Sequence, residues 1–268
     1  MTAQGNGDGA AMAFVTILYL LFLFAPMALL FVGSFGESWT NTLLPSGFTW
    51  RWYVEVASDS SFRRAFVTSL EVVGLTCLLN VLIGLPLAYA IQAAARRGVR
   101  LAARLMTLLP IAVPDLVLAF GFILVFSSDA LPWLGSFWLL VAGHLVLTLP
   151  YTVNTLAADM QQLRLAEFEQ AAATLGASFP ARFRDVVLPL VSTSLLSAML
   201  TVAALSIGEF QLSNLIAGFF SRTYPIVLLQ AFYGATGFAC AATVVLLVLA
   251  VAASLLSSAT TRLAGRAA

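Results

Sequence analysis

The sequence predicts an all-α integral membrane protein with six transmembrane helices and one short cytoplasmic helix between the fourth and fifth. Three observations predict it. The 268 residues are 61% hydrophobic and 9% charged, where a water-soluble domain is about half apolar and a quarter charged. The apolar residues fall into six separate runs, each near the roughly 20 residues that a bilayer crossing takes. Six such runs with their connections use up the chain, so no sizeable soluble domain fits.

Met1 to Ala10 is small and polar with Asp8 its one charge, and the apolar run that follows to about Phe35 is too long for a signal-peptide core and lacks a basic leader. It reads as a retained first span. From Gly36 to Ser61 the chain turns polar and aromatic, with Trp39, Trp50, Trp52 and Tyr53, residue types that favour the membrane-water interface. This stretch is expected outside, lying partly along the surface. Further runs at about 65–93, 104–127, 136–157, 190–217 and 234–258 complete the six. The organisation is a cytoplasmic tail over 1–11, a six-helix transmembrane domain over 12–258 and a second cytoplasmic tail over 259–268.

An even number of spans puts both termini on one side. That side holds Arg96, Arg97, Arg100, Arg104, Arg164, Arg182 and Arg184 in its loops and Arg262 and Arg266 in the tail, whereas Arg51, Arg63, Arg64 and Arg222 lie opposite. The positive-inside rule makes the richer side cytoplasmic, in a bacterial plasma membrane. Net charge +1 gives no sign of a nucleic-acid partner.

Pro26, Pro86, Pro110, Pro114 and Pro150 fall inside the runs, each removing a helical hydrogen bond. Pro110 and Pro114, with Asp115 next, mark the third span for local unwinding. Ionisable groups cost about 2.5–3.5 kcal/mol or more at a helix centre, so Glu71, Asp115, His144 and Glu209 each need a bundle-interior or watered setting. Asp115 and Glu209 are candidates for lining a translocation path, against the alternative of structural hydrogen bonds. His144 reads as a helix-helix hydrogen-bond donor. Asn80, Gly234, Gly237, Ala241 and Ala242 suit close helix packing. Cys77 and Cys240 read as small buried hydrophobes, and no metal site is expected.

The longest cytoplasmic segment, about 158–189, places Leu165, Phe168, Ala172, Leu175 and Phe179 at three-and-four spacing, an apolar stripe on a short helix. Gly176 suits the left-handed residue that closes a helix. Ser178 is expected to cap a second short helix with Pro180 in its first turn. By amphipathicity alone, the stripe reads as a surface helix folded back on its own bundle.

In that segment Glu169-Gln170-Ala171-Ala172-Ala173-Thr174-Leu175-Gly176, nine residues and then Val186-Val187-Leu188-Pro189 resemble the signature loop of binding-protein-dependent ABC importer permeases. The family pattern is E-A-A, three residues, G, nine residues, I-x-L-P, and Gln170 stands where the family usually has glutamate. The stretches Leu44-Pro45-Ser46-Gly47-Phe48-Thr49-Trp50-Arg51-Trp52-Tyr53, Gly84-Leu85-Pro86-Leu87-Ala88-Tyr89-Ala90 and Ser206-Ile207-Gly208-Glu209-Phe210 resemble the spermidine/putrescine-type branch. The resemblance implies a coupling helix, carried by Glu169, Gln170, Ala171, Ala172, Gly176, Leu188 and Pro189, that docks on an ATP-hydrolysing subunit. It also implies a second permease subunit, identical or different, an extracytoplasmic solute-binding protein and surrounding lipid. The branch carries polyamines, aminoethylphosphonate, ferric iron, sulfate or thiamine. Two carboxylates on the path lean towards an amine-bearing cargo.

The basic side chains are all arginine, and a phosphate-binding loop G-x-x-x-x-G-K-[ST] requires lysine. The chain is therefore no P-loop ATPase, and ATP and Mg belong to the partner subunit. One histidine, with no H-E-x-x-H and no G-x-S-x-G, argues against an intramembrane enzyme. An ion-gradient-driven secondary transporter suits interrupted helices and buried carboxylates equally.

Overall fold

The computed structural model describes the backbone of residues 5–39, 42, 44–94 and 96–267, and within that set the side chains from 11 to 252. Asp8, Arg262 and Arg266, assigned above to the tails, have side chains outside the described residues. The helices, in chain order, are α1 (Gly5–Ser34), α2 (Arg51–Ser58), α3 (Ser60–Leu79), α4 (Leu85–Ala93), α5 (Arg97–Ala112), α6 (Asp115–Phe126), α7 (Phe137–Gln162), α8 (Leu165–Thr174), α9 (Phe179–Arg182), α10 (Leu188–Gly208), α11 (Gln211–Ile216), α12 (Tyr224–Ala231) and α13 (Thr236–Ala267). The only β pairing among the described residues is two isolated bridges, Ser38 with Ser46 and Gly135 with Ala217.

Four helical stretches are long and apolar enough to cross a bilayer: Ala11–Ser34, Ser60–Ala93, Phe137–Gln162 and Phe179–Gly208. The third predicted run is a pair, α5 and α6, bent by 98° about Val113 and Pro114. The double-proline signal thus located a real break, because Pro114 forces Val113 into an extended conformation. The prolines inside α1, α5 and α7 are accommodated without a break. The described apolar part of the sixth run is the 17-residue stretch Thr236–Ala252.

The chain divides into two compact units, Met1–Arg63 with Leu228–Leu249 and Arg64–Val227 with Ala250–Ala268. In the first, α1 is exposed along most of its length and meets its neighbours at its end, where Gly33 approaches Trp39 and Cys240. The aromatic stretch after it folds on itself rather than lying flat. Phe35 stacks on Phe48 and meets Trp50 edge-on, Tyr53 shares a 2.7 Å hydrogen bond with Ser34, and Trp52 is buried with its indole N–H on the Gly36 carbonyl. An added Cβ on Gly237 would collide with the Trp52 indole, and Ala241 and Ala242 are fully buried. The small-residue expectation for the last helix is realised there.

In the second unit α7 is the central element, buried along much of its length and capped at its start by the Ser136 hydroxyl. Pro86 and Pro189 each follow, two residues on, a π-helical turn, Asn80–Gly84 and Phe183–Val187. A proline crowds the carbonyl four residues before it. Here those carbonyls, on Leu82 and Asp185, lie within the widened turns, which absorb the clash without ending the helix. Asn80 is fully buried in the first turn, donating to the Thr76 carbonyl and to Thr148 and accepting from Thr152. Two apolar clusters flank this polar layer, one around Leu85, Leu156, Met160 and Val187, the other around Val72, Leu140, Leu212 and Ile216.

Candidate functional site

Between α7 and α10 lies the segment singled out from the sequence. α7 runs on to Gln162, past the expected start of the loop, and the chain then turns on Arg164 with φ 52°. This left-handed conformation costs a non-glycine residue about 1–2 kcal/mol. α8 follows and closes at Gly176, φ 82°, where Ala177 donates to the Ala172 carbonyl and Gly176 to that of Ala173, the paired bonds of a Schellman stop. Two left-handed residues thus frame one short helix and set its entry and exit. Ser178 does precede α9, but no side-chain bond of Ser178 caps it.

The apolar stripe of α8 is not folded back onto the bundle. Leu165 is buried, whereas Phe168 is 52% exposed and Leu175 88% exposed, and Gln170, Ala171 and Gly176 are exposed with them. Glu169 and Ala172 are half-buried. The second half of the signature is the anchor: Val187 is fully buried and Leu188 packs against the cluster that holds Leu85, Leu156 and Leu165, while Pro189 is exposed. Motif residues therefore serve two ends, an exposed face and a root in the helices.

A second site opens at the two helix breaks. A cavity of about 450 Å³ is lined by Pro110, Ile111 and Asp115 from the α5–α6 break, by His144, Thr148 and Tyr151 from α7, and by Ser206, Gly208, Glu209 and Gln211 from the α10–α11 break. This volume lies within the range of small-molecule sites. The structure brings Asp115, His144 and Glu209 together; Glu71 does not join them, being exposed on α3. No arginine is among the lining residues.

The Glu209 break corrects the reading of one continuous span over 190–217. α10 stops at Gly208, Glu209 is extended, and its carboxylate takes the start of α11 in hand: Oε1 accepts from the Leu212 N–H at 2.7 Å and Oε2 from the Ser213 N–H at 2.9 Å. The Ser213 hydroxyl donates to Oε2 as well. His144, 1% exposed, has Nδ1 2.7 Å from Ser206 Oγ and Nε2 2.9 Å from Ser213 Oγ. For a ring that carries one proton, donor counting places it on Nε2. Ser213 gives its single proton to Glu209, so it accepts from His144 Nε2–H, and Nδ1 accepts from Ser206. The chain Ser206, His144, Ser213, Glu209 is thereby fully paired, and His144 clamps α10 to α11. His144→Ala leaves the buried Ser206 hydroxyl without its acceptor and opens a void, while Ser213 keeps its bond to Glu209, at a cost of about 2–4 kcal/mol. A lowered unfolding midpoint of the purified protein in detergent is the expected result, and an unchanged midpoint would show that the clamp carries no stability.

Sequence reasoning missed Arg164, the two π turns and the break at Glu209. Arginine does not advertise a left-handed conformation, and Glu209 breaks a run whose flanks are apolar on both sides. One signal was available: a glutamate directly after Gly208 and three and four residues before the amides that it caps.

The family model described as "Binding-protein-dependent transport system inner membrane component" matches residues 80–263. A permease protein assigned to a 2-aminoethylphosphonate transport system in Salmonella typhimurium is 29% identical over 225 residues, 83% of each chain; its counterpart in Salmonella paratyphi A is 30% identical over 206 residues, 76% of each. The spermidine/putrescine transport system permease protein of Haemophilus influenzae is 27% identical over 259 residues, covering 93% of this chain and 95% of that one. Among solved structures, a bacterial ABC transporter involved in the import of the acidic polysaccharide alginate shares the fold, with TM-score 0.76, 18% identity and 94% of each chain covered.

Proposed function

The chain belongs to the family of binding-protein-dependent transport system inner membrane components, and from that premise we propose that it couples ATP hydrolysis on a separate subunit to import of a small amine-bearing solute. It is a permease of an ABC importer, a multi-pass membrane component rather than an enzyme. Membership favours an ATP-driven machine over an ion-gradient-driven one.

The observation that carries the cargo reading is the cavity at the two breaks, where Asp115 and Glu209 meet with no arginine to balance them. Broken helices at the middle of a bundle are where transporters build solute sites, and unbalanced carboxylates there favour a primary ammonium. The two carboxylates have different roles. Both oxygens of Glu209 are engaged by α11, and its side chain is 8% exposed, so it shapes the site. Asp115, at the first turn of α6 and half-buried, is the ammonium ligand. The relatives named above for aminoethylphosphonate and for spermidine and putrescine share that ammonium group.

The exposed face of α8 docks on the ATPase subunit, which holds ATP and Mg. The six runs cross the membrane six times with both termini in the cytoplasm, and a second permease subunit and an extracytoplasmic binding protein complete the assembly. Uptake into vesicles bearing the full transporter tests the cargo: ATP-dependent accumulation of a radiolabelled diamine or of aminoethylphosphonate is expected, and uptake of sulfate with neither amine taken up would overturn the reading. The two amine arms separate a polyamine carrier from an aminophosphonate carrier.

A further inference from the structure

The signature loop touches the membrane helices through a hydrogen bond to a residue outside that loop. The Tyr89 hydroxyl, on α4, donates to Glu169 Oε1 on α8 at 2.8 Å. The Tyr89 ring meets Phe183 edge-on with centroids 5.6 Å apart and Phe179 at 5.9 Å, so one side chain joins α4, α8, α9 and the π turn that begins α10. Glu169 is therefore not a spare carboxylate for the exposed face. That face carries the neutral Gln170 in its place.

We propose that Tyr89 and Glu169 form a latch, a pair of positioning residues that transmits displacement of the docked α8 to the second membrane span. The inference rests on the proposed docking of α8. Without the latch, α8 is rooted through Leu165 and the Val187–Leu188 anchor in an apolar cluster that α4, α7 and α10 share. The Tyr89 bond is the polar path from α8 to α4. Apolar contacts tolerate sliding, whereas a hydrogen bond fixes direction, so the Tyr89 bond adds to the shared cluster a link that passes rotation of α8 to α4. The bond also has a carboxylate acceptor, which strengthens it relative to a neutral pair.

The test measures solute moved per ATP hydrolysed by the full transporter in vesicles. Tyr89→Phe keeps the ring packing and removes only the donor, and it is expected to lower that ratio by about fivefold to tenfold, the worth of one net hydrogen bond. Glu169→Ala is expected to match it, the double variant to be no worse than either single one, and Glu169→Gln to retain most of the coupling because its amide oxygen accepts the same bond. An unchanged ratio in Tyr89→Phe, additive losses in the double variant, or equal losses in both Glu169 variants overturns the latch. Cross-linking of an Ala171→Cys variant to the ATPase subunit reads docking separately. A cross-link with an unchanged ratio overturns the latch alone, and absence of the cross-link overturns the docking and the latch together.

Discussion

Replacing Asp115 by asparagine is expected to reduce ATP-driven uptake of an amine at subsaturating concentration by about thirtyfold or more, with the protein still present in the membrane at its normal level. The substitution is nearly isosteric and removes one charge from a cavity that contains no arginine. Asp115 is partly exposed, so the loss is that of a hydrogen bond to a charged group, about 1.5–3 kcal/mol, and each 1.4 kcal/mol is about tenfold. Folding is not expected to suffer, because Asp115 starts α6 at a break that Pro114 already imposes.

Glu209→Gln separates the two carboxylates. A glutamine keeps one acceptor for the α11 amides but offers N–H groups where Oε2 now accepts from both the amide and the hydroxyl of Ser213. The expected signature is a fall in the unfolding midpoint together with weakened uptake. Asp115→Asn is expected to leave the midpoint in place. Equal uptake losses without any change in stability would assign both residues to the cargo. Full uptake by the Asp115→Asn protein would remove the cavity from the transport path.

How much of this was legible in the sequence depends on the kind of signal. The helical boundaries set by hydropathy were: the first run was read to about Phe35 and α1 ends at Ser34. Breaks made by backbone chemistry were legible too, since Pro114 disfavours helix at the residue before it and Gly176 takes a conformation that side chains resist. Features made by long-range pairing were not. Glu209 stood out as an ionisable residue in an apolar run, but its hold on α11 shows only in the folded pairing, and nothing in the spacing of Tyr89 and Glu169, 80 residues apart, announces a bond. Trp52 was assigned to the interface by residue type, but burial against Gly237 makes it structural. The stripe on α8 shows the opposite case: amphipathicity alone favoured a helix folded onto its own bundle, and the motif spacing favoured a docking face. Phe168 and Leu175 are exposed rather than packed on the bundle.

A graded series at Gly176 is expected to have the largest effect on coupling. At φ 82° an L-residue pays the left-handed cost, least for asparagine, more for alanine and most for a β-branched side chain. Among the described residues, no atom beyond the two chain neighbours lies within 4 Å of where a Cβ would sit, so core clash does not enter, and the variants differ through conformation and through whatever docks on that face. Gly176→Asn is expected to keep most ATP-driven uptake and Gly176→Ala to lose part of it. Gly176→Val is expected to abolish uptake while the protein remains in the membrane, because the stop unwinds and α8 no longer presents Gln170, Ala171 and Leu175 at a fixed angle. The measurement is uptake against ATP hydrolysis across the three variants. A series ordered by side-chain size would place the effect in a tight socket on the partner, whereas the order asparagine, alanine, valine with asparagine near the native protein identifies the left-handed stop itself. Retained transport in Gly176→Val would end the assignment of this segment as the coupling element, since no other residue between Arg164 and Phe179 adopts the left-handed conformation that sets its exit.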